Sequence, residues 1–127
     1  MRKETDRIVQ FLKNPTQTAV HVVTLSASMS CQEAVQLADA LRHRAQVPLG
    51  LLICNRVPVT PPEGVIPAGE PEWSGFLTAE VERARAQHER LQATAIETQL
   101  ERIDCPEFPG AGRAVVAHLA EHFRALR

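Results

Sequence analysis

A chain of 127 residues, 44% hydrophobic and 23% charged, has the length and apolar content for one domain with a core, and is too apolar for disorder. Fourteen Lys and Arg against fifteen Asp and Glu leave a formal charge of -1, which excludes a basic field that recruits nucleic acid or anionic lipid. The cations are twelve arginines and only two lysines, Lys3 and Lys13, so motifs that need a placed lysine find none.

Residues 2–13 read as a short helix, with Ile8, Phe11 and Leu12 on one face and Asn14-Pro15 as its stop. Residues 18–25, Thr-Ala-Val-His-Val-Val-Thr-Leu, are β-branched and apolar without alternation. Such a strand expects cover on both faces, as in a parallel sheet between helices. A helix follows over 31–45. Ser30-Cys31-Gln32-Glu33 is a capping box, and Ala34, Leu37, Ala38, Leu41 and Ala45 recur at helical spacing. Pro48 ends that helix, and 49–55 is a second strand, apolar on both faces until polarity returns at Asn55-Arg56-Val57. Strand, helix and strand make a right-handed βαβ unit.

A Pro-rich loop spans 57–74 with Trp73 near its end. A charged helix over 76–97 carries a narrow seam of Leu77, Val81, Ala84, His88, Leu91 and Ala95. Residues 101–105 form a third strand, 106–110 a turn-rich loop, and 112–126 a closing helix that packs through Val115, Val116, Leu119, Phe123 and Leu126. The expected architecture is one α/β domain over 1–127. It is a three-layer, partial parallel sheet of about three strands flanked by helices.

The chemistry is sparse. A phosphate-cradling loop needs spaced glycines and a lysine, and Gly110-Ala111-Gly112-Arg113 has neither the spacing nor the lysine, so it reads as a tight helix entry. His118 and His122 share a helix face but lack a third ligand, so no metal site is expected. His88 reads as a packed or interface histidine, and His21 as a satisfied residue on a sheet face. Three cysteines with no C-x-x-C point to free thiols in a reducing, cytoplasmic setting. No apolar run nears the roughly 20 residues of a bilayer span, so direct membrane insertion is not expected. Cys31 opens its helix, where the dipole lowers a thiol pKa, but no general base is placed for it. Asn55 ends a buried strand on the carboxyl rim of the sheet, where ligands of open parallel sheets bind. Its carboxamide presents a donor and an acceptor together, the pattern that reads an adenine edge; the competing reading is a turn former.

Three segments together resemble the later part of ArsA-type ATPases, the family of arsenite-pump and tail-anchored-protein-targeting ATPases. They are Asn14-Pro15-Thr16-Gln17-Thr18 with the strand after it, Ser30-Cys31-Gln32-Glu33-Ala34 with Leu37, and Ile53-Cys54-Asn55-Arg56-Val57. Arg83, Gln87 and Leu91 continue the likeness, as does the run from Pro106 to Gly112. The resemblance implies an incomplete P-loop NTPase-like fold, with Asn55 and its neighbour Arg56 against the adenine and Pro106, Glu107 and Phe108 wrapping its other side. It implies weak ATP or ADP binding, and Mg2+ only with a P-loop half that has no match here, so the chain alone should not hydrolyse ATP. It also implies a partner: that N-terminal ATPase half, a second copy, or a protein client. The family's zinc-binding cysteine pair has no match in residues 57–75. Two rivals stand beside this reading: a non-catalytic dimerisation or protein-interaction module, and a thiol enzyme using Cys31.

Overall fold

The computed structural model describes residues 1–59, 71–107 and 113–125. Its elements in chain order are α1 (Arg2–Lys13), β1 (Val20–Thr24), α2 (Ser28–Ala40), a π turn over Leu41–Ala45, β2 (Leu49–Val57), α3 (Pro71–Thr98), β3 (Glu101–Pro106) and α4 (Arg113–Ala125). The strands make a three-stranded parallel sheet in the order β1-β2-β3, so the fold is α/β with β2 at the centre. Phe108, Gly110, Gly112 and Leu126, together with most of the Pro-rich loop, lie outside the described residues.

The core sits between one face of the sheet and the helices α2 and α3. Val22, Leu52, Cys54 and Val57 from the strands meet Cys31, Ala34 and Ala38 of α2 and Leu91 and Ala95 of α3. The inward face of α2 carries only short side chains, which lets it lie close against α3. Thr94 and Thr98 are buried on α3, each donating its hydroxyl to the carbonyl four residues back, so burial leaves neither unsatisfied.

Three expectations need correction. The capping box at Ser30 does not form. The Cys31 N–H already bonds the Ala27 carbonyl at 3.0 Å, so the helix starts at Ser28 and Ser30 lies inside its first turn. Leu37 and Ala45 are exposed rather than buried, because the core-facing set runs through Cys31, Ala34 and Ala38. The expected α-helix over 31–45 closes instead in a π turn that ends at Gln46 in the left-handed conformation (φ 55). From that turn Arg42 reaches Thr98 and donates to its carbonyl at 2.7 Å, placing a cation on the C-terminal end of α3.

Cover on the second face is uneven. Val23, at the β1 side, is 62% exposed, whereas Cys105 in β3 is 3% exposed. His122 of α4 donates from Nε2 to the Asp104 carbonyl at 2.6 Å, so this helix meets the sheet at β3. α1 buries none of its residues, and Ile8, Phe11 and Leu12 remain exposed.

The continuous apolar run of β2 has a geometric cause. Its core-facing residues are Leu49, Leu52, Cys54 and Val57, a spacing of three, two and three rather than a strict two. Each step of three is a β-bulge. Val20 pairs with Leu49 and Val22 with Leu52, so β2 carries one extra residue against β1; Cys54 pairs with Asp104 and Val57 with Pro106, so it carries another against β3. At the first bulge the Leu51 N–H is taken by His21 Nδ1 at 2.9 Å, an imidazole standing in for a ladder carbonyl. The same ring fills the space beside Gly50, where a Cβ would lie 2.5 Å from Nδ1 and Cε1. Gly50→Ala is therefore expected to push the exposed His21 ring aside and, with the loss of its hydrogen bond to Leu51, to destabilise the protein by about 1 kcal/mol in urea unfolding. Much of that loss should disappear in a His21→Ala background, a coupling on the order of 1 kcal/mol. Equal losses in both backgrounds would show that the ring does not set the bulge.

Candidate functional site on the carboxyl rim

The second bulge builds the rim. Cys54 is buried, the next two residues turn out to solvent, and Val57 returns to the core at 3% exposure. Arg56 takes φ 53, a left-handed conformation that costs a non-glycine residue about 1–2 kcal/mol. Asn55 supports it by accepting the Arg56 N–H on Oδ1 at 3.0 Å. Asn55 thus acts as a turn former, with its Nδ2 donors unbonded among the described residues. Strained backbone of this kind gathers at ligand sites.

The end of β3 meets this turn. The Glu107 N–H donates to the Val57 carbonyl at 2.9 Å, and Arg56 Nη2 lies 3.1 Å from Glu107 Oε1. Both side chains of that pair are more than half exposed, at 69% and 56%, so it contributes at most about 1 kcal/mol. Residues 55–57 and 106–107 are about fifty positions apart in sequence and neighbours here, with Pro106 half-buried between them.

The rim residues do not share one cleft. Asn55 opens into a cleft of about 470 Å³ with Val23, Leu25, Ser30, Glu33 and Leu37, between the end of β1 and α2. Arg56 and Glu107 open into another of about 240 Å³, with Glu80, Arg83 and Gln87 of α3. Arg83 and Gln87 both line this second cleft, where Arg83 donates to Glu80 at 2.6 Å.

Beneath the rim lies a constellation that sequence reasoning missed. Arg102 and Asp104, two apart on β3, share the core face, and Arg102 donates from Nε and Nη2 to the Asp104 carboxylate at 2.6 and 2.7 Å. That hydrogen bond raises the Arg102 pKa above its ordinary value. The Arg102 side chain is only 14% exposed, and it also contacts His88 of α3. The sequence signal was the Arg-x-Asp spacing at strand period, opposite a histidine on a helix seam.

The three thiols are buried in this geometry. Cys31, Cys54 and Cys105 are free, and Cys31 donates to the Leu25 carbonyl at 3.3 Å. Burial, then the nearby Asp104 carboxylate, pushes the Cys54 thiol up to about 11 and raises Cys105 as well. Among the described residues no group of three or more His, Cys, Asp or Glu is placed to hold a metal, and no helix is long and apolar enough to cross a membrane.

A comparison with known families finds no family model that matches this chain, and no curated protein matches it.

Proposed function

We propose that this chain is the adenine-recognising and structural portion of an ArsA-like ATPase and performs no phosphoryl transfer by itself. The observation that supports this reading is that Asn55 of β2 and Pro106 and Glu107 at the end of β3 stand on the same carboxyl rim of a parallel sheet, Asn55 opening into one cleft and Glu107 into the next. Asn55 keeps amide donors and a lone pair for a base edge, and Val23, Leu25 and Leu37 give its cleft an apolar wall. In this reading a P-loop segment contributed from elsewhere would hold the phosphates and Mg2+. Binding through the base alone belongs at the millimolar end of affinities, about -4 kcal/mol.

Titration with AMP, GMP, ADP and ATP, followed by amide NMR, tests this. The expected result is shifts at residues 54–57 and 105–107 that favour AMP over GMP and treat ADP and ATP alike. Asn55→Ala should abolish the base preference and leave the core resonances in place. Resonances that stay still at every nucleotide concentration would overturn the reading.

One observation favours a second reading, a protein-interaction module. Val23 and Leu25 are exposed at the edge of the sheet, and α1 carries an apolar stripe with nothing buried. Light scattering beside the nucleotide titration separates the two: base-selective binding, by monomer or dimer, supports the first, and a nucleotide-blind dimer supports the second.

A further inference from the structure

We infer that His88 is a positioning residue of the rim, a side chain through which α3 holds both of its segments in place. The ligand this serves rests on the adenine reading above; the mechanical role does not. His88 Nε2 lies 3.0 Å from the Pro58 carbonyl. A carbonyl only accepts, so Nε2 carries the proton. Nδ1 lies 3.1 Å from Arg102 Nη2, and a guanidinium only donates, so Nδ1 carries the lone pair. The neutral Nε2–H tautomer satisfies both contacts, and the other tautomer satisfies neither. Arg102 also donates from Nη1 to the His88 carbonyl at 3.1 Å, so ring and backbone of one helix residue are gripped by one guanidinium.

The two partners belong to the two halves of the rim. Pro58 follows the bulge of Asn55 and Arg56 directly, and its carbonyl is fixed by the ring. Arg102 and its partner Asp104 lead into Pro106 and Glu107. The spacing between Asn55 and Pro106–Glu107 is thus set from α3, across a contact shielded enough for charge-assisted bonds to hold. Arg83 and Gln87 stand on the same helix and line the cleft that Arg56 and Glu107 share, so a shift of α3 moves one cleft wall and the rim together.

The test compares His88→Ala with His88→Gln in the whole chain. Glutamine keeps one donor and one acceptor at the end of a similar reach, and alanine keeps neither. Ring nitrogen NMR of the unsubstituted protein should show Nε2 protonated and Nδ1 bare. In His88→Ala, exchange of the Glu107 amide should speed by about 10-fold or more while the Leu52 and Cys54 amides keep their protection, the signature of local rather than global opening. His88→Gln should restore slow exchange. AMP-induced shifts at 54–57 should weaken in the alanine variant and return in the glutamine variant. A proton on Nδ1, an unchanged Glu107 amide in His88→Ala, or an equal loss of protection in the core would each overturn the assignment. If the unsubstituted chain ignores AMP, the adenine reading falls, while the exchange comparison still decides the role of His88.

Discussion

Leu52→Ala is expected to remove about 3–5 kcal/mol of stability, read as a lower urea midpoint at unchanged slope. Leu52 is fully buried at the centre of the middle strand, paired with Val22 on one side and Arg102 on the other. Two ladders hold the backbone there, so the surroundings cannot collapse into the space the side chain leaves. Both the transfer term and the cavity term then apply in full. Domains of this size are stable by about 5–15 kcal/mol, so the variant should sit near the edge of folding. Leu52→Met conserves volume and should lose less than about 1.5 kcal/mol. A loss under 1 kcal/mol for the alanine variant would mean that Leu52 does not anchor the core.

Alkaline destabilisation centred on Cys54 is the second large effect. The folded protein holds this thiol at about 11, against an ordinary 9.0, mainly because burial disfavours the thiolate and then because Asp104 repels it. Between those values the unfolded chain releases the proton and the folded chain keeps it, so the unfolded state binds fewer protons and stability falls as pH rises. The contribution is intact below about pH 9 and lost by about pH 11. The displacement corresponds to about 2–3 kcal/mol. Cys105, also raised by burial and Asp104, adds to the loss with the same sign. The chain has no tyrosine, which keeps the usual phenol titration out of this window. Urea unfolding in reductant from pH 8 to 11 should show the decline, and Cys54→Val should flatten it. Parallel profiles for the two proteins would refute the assignment.

An apolar run that stops abruptly at a carboxamide marks Asn55 in the sequence as the end of a strand over 49–55; β2 instead continues to Val57, and Asn55 stands exposed two residues before its end. The resemblance implies that Asn55 and Pro106–Glu107 are two walls around one base. Arg56 and Glu107 instead share a cleft that Asn55 does not line. The bulge is responsible, since two consecutive residues leave the strand with a left-handed turn between them. Nothing in Asn-Arg-Val requires that turn; an arginine is an unfavoured occupant of positive φ. The capping box failed for a related reason. Ser-x-x-Glu is a local signal, and the start of α2 is decided three residues earlier by the Ala27 carbonyl.

What the sequence determined by itself was the order and kind of the elements: a strand, helix, strand, long helix, strand and closing helix, with parallel strands and Ala34, Ala38, Leu91 and Ala95 in the core. These follow from periodicity, β-branching and chain breaks, which act between near neighbours. Only the tertiary structure decided which face of β2 each residue meets. That depends on bulges set by side chains from other elements, such as the His21 ring that occupies the space beside Gly50. It also decided the link from His88 to Pro58 and Arg102, because hydrogen bonds across thirty and fourteen residues exist only once α3 lies over the sheet. A local pattern specifies an element and its apolar side; where two elements touch is fixed by the packing of both.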